Sequence, residues 1–203
     1  MPHETTIVFG VPVPSAEPVF LAIVRFHIGM GIVVVVAGAI AMLSYKGRGR
    51  HSTAGTVYYW SLAILVGTAI TLSAIRWAEN YHLFLLGTLS FVAATMGRTA
   101  LRRRWSHWVR LHISSMGVSY ILMLTAFYVD NGKNLPLWRE LPQWAFWSLP
   151  AVLGLPIVVY AVLWHPSARQ QRLRLSERSL RLPRGLQARA GLPTEPVTAS
   201  PVL

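Results

Sequence analysis

Five stretches of this chain contain no Asp, Glu, Lys or Arg. They are residues 26–45, 51–75, 80–97, 111–129 and 141–165, which are 20, 25, 18, 19 and 25 residues long. Wound as helix at about 1.5 Å per residue, the shortest reaches roughly 27 Å and the longest roughly 37 Å. A bilayer's hydrocarbon core is about 30 Å thick, so each stretch is long enough to cross it. Lipid offers no partner to a free N–H or C=O, and a single spanning segment satisfies its own backbone only as a helix. The sequence therefore predicts an all-α integral membrane bundle of five transmembrane helices, with spans at about 20–45, 52–75, 80–98, 108–129 and 143–164. Composition agrees: of 203 residues 53 % are apolar and 13 % charged, with a mean hydropathy of +0.44.

The bundle occupies residues 18–165 in this reading. Residues 1–17 form an outer N-terminal segment, and 166–203 a basic tail rich in Arg, Pro and Ser that is largely disordered. A short amphipathic helix over 168–182 is the alternative for part of that tail. The first stretch is read as a retained helix rather than a cleaved leader, because its N-terminal flank lacks Lys and Arg while Lys46, Arg48 and Arg50 follow it. Pro18 suits a first helical position, where no backbone donor is needed.

Orientation comes from the cations. The first linker carries Lys46, Arg48 and Arg50, and the third carries Arg98, Arg102, Arg103, Arg104 and Arg110. The tail adds Arg169, Arg172, Arg174, Arg178, Arg181, Arg184 and Arg189, whereas the opposite side has Arg25, Arg76, Lys133 and Arg139. Fifteen against four predicts N-out, C-in by the positive-inside rule. The partners expected are the lipid bilayer and anionic lipids drawn to the Arg-rich tail, at about 1 kcal/mol per basic residue near the surface. Nucleic acid is not expected despite the net charge of +12, because no water-soluble body is left to carry a basic face. With no Cys, disulfides and thiolate metal sites are excluded.

The spans hold none of the carboxylates or lysines that pumps and ion-coupled transporters keep at mid-membrane, so chemistry falls to histidine. His27 and His82 lie near the outer ends of spans one and three. His51, His107 and His112 lie near the inner ends of spans two and four. In an up-down bundle these spans face one another along diagonals. Two histidine layers at two depths form the pattern of a transmembrane b-type cytochrome. The candidate ligands are His27 and His82 outside and His51 or His112 inside, with haem b as cofactor. Arg48, Arg50 and Arg110 are placed to take propionates. His107 and His112 sit about 140° apart on a helix and cannot share an ion.

No nucleophile–base pair, phosphate loop or zinc signature occurs, so no catalytic residue and no metal ligand beyond haem iron is assigned. Plainer roles compete. Ser52 or Thr53 would cap the second helix beside His51, and Gly31 and Gly38, on the His27 face, would allow either a ring groove or close packing. Gly132 is expected to take a left-handed cap after span four, and Pro150 and Pro156 to kink span five. Alternatives to redox function are a non-catalytic scaffold in a membrane complex, or a small-molecule or lipid carrier using Ser115, Ser119, Tyr120 and Thr125.

Three motifs carry a family resemblance: Arg50-His51 with Gly55 and Tyr58; Ser106-His107-Trp108-Val109-Arg110 after an Arg run; and Gly117 to Tyr120 running on through Thr125 to Gly132. Over roughly residues 20–160 the chain resembles the bacterial multi-pass membrane proteins grouped as domain of unknown function 2306. The resemblance implies a helical integral protein of the inner (plasma) membrane. It transfers no activity and no functional residue.

Overall fold

The computed structural model describes residues 6–8, 11–13, 17–46, 49–136 and 138–164, with positions 166, 170, 173 and 176 beyond them. The Arg-rich tail and its expected amphipathic helix fall almost wholly outside the described residues, as does Arg48. Five long helices dominate: α1 (Pro18–Leu43), α2 (Arg50–Ile75), α3 (Trp77–Arg103), α4 (Trp108–Asn131) and α5 (Gln143–Trp164). All five are long and apolar enough to cross a membrane, and the chain is an all-α, multi-pass membrane protein by that measure. Two three-residue strands, β1 (Thr6–Val8) and β2 (Val11–Val13), pair antiparallel ahead of the bundle. The sequence reading had no element there, although the β-branched Thr6, Ile7, Val8, Val11 and Val13 favour a pleated pair.

Helix ends follow local chemistry. Pro18 opens α1, as its fixed φ and missing donor allow. The last carbonyls of α1 are closed from outside the helix: Lys46 Nζ donates to Ala41 at 2.9 Å and to Met42 at 2.6 Å, and Ser44 N–H to Ile40. A single residue, Arg76, joins α2 to α3, and Ser73 donates its hydroxyl to the Asn80 carbonyl across that corner. Between α3 and α4 the chain reverses through two left-handed residues, Arg104 (φ 50°) and His107 (φ 59°). Gly132 is right-handed (φ −55°) instead of the left-handed cap expected. The Phe146 ring packs so closely on its Cα that a Cβ would lie 2.5 Å from the ring, which accounts for the glycine by contact rather than by φ. Helix α5 runs unbroken through Pro150 and Pro156.

Successive helices pack as neighbours, most extensively α3 on α4 and α1 on α2. On α3 the buried face is Ser90, Ala93, Ala94, Gly97 and Ala100. Side chains this small let two helix backbones approach closely, the arrangement that stabilises association where water supplies no hydrophobic drive. The apolar core joins Val34 and Ala37 of α1 to Tyr58, Leu62, Leu65 and Val66 of α2, Ala94 of α3 and Met123 of α4. Large apolar residues cover the outside, among them Ile32, Val36, Leu89, Ile157 and Tyr160. A continuous apolar exterior of that kind needs lipid around it.

Candidate histidine site

One diagonal of the four-helix core, α2–α4, is bridged by side chains. At mid-height Tyr58 Oη of α2 and Ser119 Oγ of α4 are 2.7 Å apart, and both residues are buried. Ser90 of α3 joins them, donating to the Ser119 carbonyl at 2.8 Å. Tyr120 reaches across to α1 and donates to the Val35 carbonyl at 3.1 Å. Gly38 makes that reach possible, because the Tyr120 ring occupies the space its side chain would fill. The glycine face of α1 is therefore used for close packing, with Leu65 beside Gly31.

Toward the end that carries the α1–α2 and α3–α4 linkers, hereafter the basic end, the same diagonal brings His51 and His112 together. Their ring centroids are 6.4 Å apart with planes at 82°. Each ring is fixed through Nδ1 to a main-chain carbonyl: His51 to Ala41 at 2.8 Å, His112 to Gly97 at 3.0 Å. A carbonyl only accepts, so Nδ1 carries the proton in both rings. In the neutral ring this tautomer leaves Nε2 without hydrogen, presenting a lone pair. This is the tautomer of a ligating histidine whose other nitrogen is held by an outer partner. One turn along α4 from His112, the Ser115 hydroxyl is buried and has no hydrogen-bond partner among the described residues. A helical serine usually returns its proton to the preceding turn, as Ser114 does to Arg110 at 2.9 Å, so the orphan marks an incomplete polar layer.

The far end differs. His27 Nδ1 lies 2.8 Å from Thr68 Oγ1, whose own proton goes to Leu65 at 2.8 Å, so His27 too donates through Nδ1. His82 packs against Trp147 of α5 and Tyr81, with Asp130 as its charged neighbour. No hydrogen bond or ring contact joins His27 to His82 among the described residues. His107 is exposed in the α3–α4 turn, and its ring bonds to the adjacent Ser106 hydroxyl. Ser52 and Thr53 lie inside α2, and its N-cap, Gly49, makes no side-chain cap.

Charge divides the two ends as well. The described carboxylates, Glu17, Glu79, Asp130 and Glu140, all belong to the far end, where Arg76 pairs with Glu79 at 3.4 Å and Arg139 with Glu140 at 3.1 Å. At the basic end Arg98 stacks on Tyr59 and Arg104 on Trp108. Arg50, Arg102, Arg103 and Arg110 have no carboxylate partner among the described residues.

Sequence reasoning found the four histidines but not their anchors. Ala41 and Gly97 offer backbone only, so no side-chain pattern could announce them. Ser90 and Thr68 are small polar residues inside apolar helices, and their spacing alone did not separate them from lipid-facing ones. No family model, curated protein or solved structure matches the chain.

Proposed function

We propose that the protein is a b-type haem-binding redox or electron-transfer subunit whose iron is held by His51 and His112. The observation that carries this reading is the pair of adjacent imidazoles with both Nδ1 atoms tied to backbone carbonyls. Two histidines holding one iron at about 2.0 Å each, both Nε2 atoms turned to it, would have ring centroids about 6.3 Å apart; the two rings stand at 6.4 Å with their planes at 82°. The orphaned Ser115 hydroxyl is a second sign that the layer is built around something more than these side chains. When bound, haem supplies one-electron transfer. The protein's part is to fix ring orientation and tautomer, and to offer Arg110 (with Arg48 from the sequence) to propionates. His27 and His82 belong to the proposal as an outer layer, with less support because they have separate partners.

A second reading rests on one observation. Ala41 O accepts from both His51 and Lys46, so the same bonds close the C-terminus of α1 with no cofactor needed. On that reading the chain is a membrane scaffold or assembly partner. The resemblance to the domain of unknown function 2306 group, the inner-membrane location, the N-out, C-in orientation and the binding of anionic lipid by the tail are proposals alongside it. The deciding experiment is a reduced-minus-oxidised spectrum of protein purified from membranes. A b-type α-band that vanishes in His112→Ala supports the haem reading. No α-band, with stoichiometric iron absent, leaves the scaffold.

A further inference from the structure

Beside the histidine pair, on the outer side of α1, lies a groove of about 650 Å³ that neither reading uses. That size falls within the roughly 300–1,000 Å³ of sites holding one small ligand. Its floor is apolar: Val35, Val36, Ala39, Ile40 and Leu43. These span about 12 Å of helix, running from near the core's middle to the end of α1. Its mouth is polar, formed by Ser44, Tyr45 and Arg50.

Three features of the mouth point to an anion. Arg50 is exposed and has no carboxylate partner among the described residues. It is also the first residue of α2, so the free N–H groups of that helix's first turn gather beside it, and N-cap Gly49 (φ 111°) brings no side chain to cap them. A helix N-terminus with bare donors and an arginine attracts phosphate. Third, the described residues of this end carry cations only, so nothing at the mouth competes for Arg50. An apolar trough ending in a phosphate-binding mouth, at the depth where a spanning helix leaves the hydrocarbon, matches one molecule in shape and charge.

We infer that this groove is a site for a single anionic phospholipid, its phosphate on Arg50 and the first turn of α2 and an acyl chain lying along Val35–Leu43. It is separate from any binding of lipid by the Arg-rich tail, and does not depend on haem.

The test is native mass spectrometry of the full chain released from nanodiscs of phosphatidylglycerol or phosphatidylcholine. Wild-type protein should retain one phosphatidylglycerol about fivefold more often than one phosphatidylcholine, the effect of one basic residue near a lipid phosphate. Arg50→Gln should abolish the preference. Ala39→Phe, which fills the trough, should lower retention of both lipids. Arg102→Gln/Arg103→Gln, which removes exposed charge elsewhere on the same end, should change neither. Inorganic phosphate at millimolar concentration should leave the bound lipid in place. Equal losses in Arg50→Gln and in the double variant would overturn the site in favour of diffuse attraction. Full retention in Ala39→Phe, or displacement by free phosphate, would overturn the acyl-chain part. Haem content measured on the same samples separates failure of this inference from failure of the redox reading.

Discussion

The two ends of this bundle hold the same residue type in different company. At the basic end, the His51 and His112 rings stand 6.4 Å apart with their planes at 82°, each pinned by a backbone carbonyl. At the far end, His27 is held within the α1–α2 interface by Thr68, while His82 lies among the aromatic rings of α3 and α5. Equal depth is not enough to make a pair. The α2–α4 diagonal of the four-helix core is bridged by side chains, at mid-height by the Tyr58–Ser119 bond. Histidines on that diagonal converge, and histidines on α1 and α3 have other partners.

The sharpest way to break this contrast is to remove one histidine at a time. His51→Ala and His112→Ala should each eliminate the haem α-band completely, whereas His82→Ala should retain most of it. Spectra of the membrane-extracted protein, normalised to protein, read the result. Equal loss in His82→Ala would show that the far end is also a ligand layer and that the bridged diagonal does not select.

This difference between ends was only half legible in the sequence. Charge-free length and the absence of an alternative in lipid dictated five helices, because those constraints are one-dimensional. The two histidine depths were legible for the same reason. Which diagonal closes was not, since it depends on where small residues let helices approach. Gly38 could be read as a cradle or as a packing site, and only the Tyr120 ring lying on it decides. Likewise Gly132 sits where a left-handed cap was expected, yet contact with Phe146 explains it.

The next largest effect should come from that α1 contact. Gly38→Val places a branched side chain where the Tyr120 and Tyr58 rings lie, and overpacking of a filled core costs about 1–3 kcal/mol. A lower thermal midpoint in detergent is expected, with loss of any α-band as the α2–α4 spacing shifts. Gly31→Ala, whose new Cβ would meet Leu65 at 3.9 Å, should be close to neutral. If both variants behave alike, the α2–α4 bridge is not held from α1.

Smaller still is the clamp itself. Ser119→Ala removes the hydroxyl partner of Tyr58 but leaves the Ser119 carbonyl for Ser90. Hydrogen bonds between membrane helices are worth about 0.6 kcal/mol on average and up to about 1.7. Burial of Tyr58, which is 2 % exposed, puts this one toward the upper value. Chemical denaturation in mixed micelles should show that loss, and Tyr58→Phe combined with Ser119→Ala should cost little more than either alone, because both remove the same bond.

The smallest effect concerns the far end, and it separates anchoring from ligation. Thr68→Val keeps the shape of the side chain and removes the oxygen that His27 Nδ1 meets at 2.8 Å. The imidazole then loses this partner while its backbone partner Leu65 remains, and the expected cost is that of one interhelical bond, about 0.6 kcal/mol. If His27 serves only the α1–α2 interface, the α-band and its midpoint potential stay where they are in the wild type. If His27 is a ligand, freeing its ring must move that potential, because the outer partner of a ligating histidine sets its basicity. A small stability loss with an unmoved potential would place all the redox chemistry at the basic end. A shifted potential would extend it across the bundle and return the far-end histidines to a shared role.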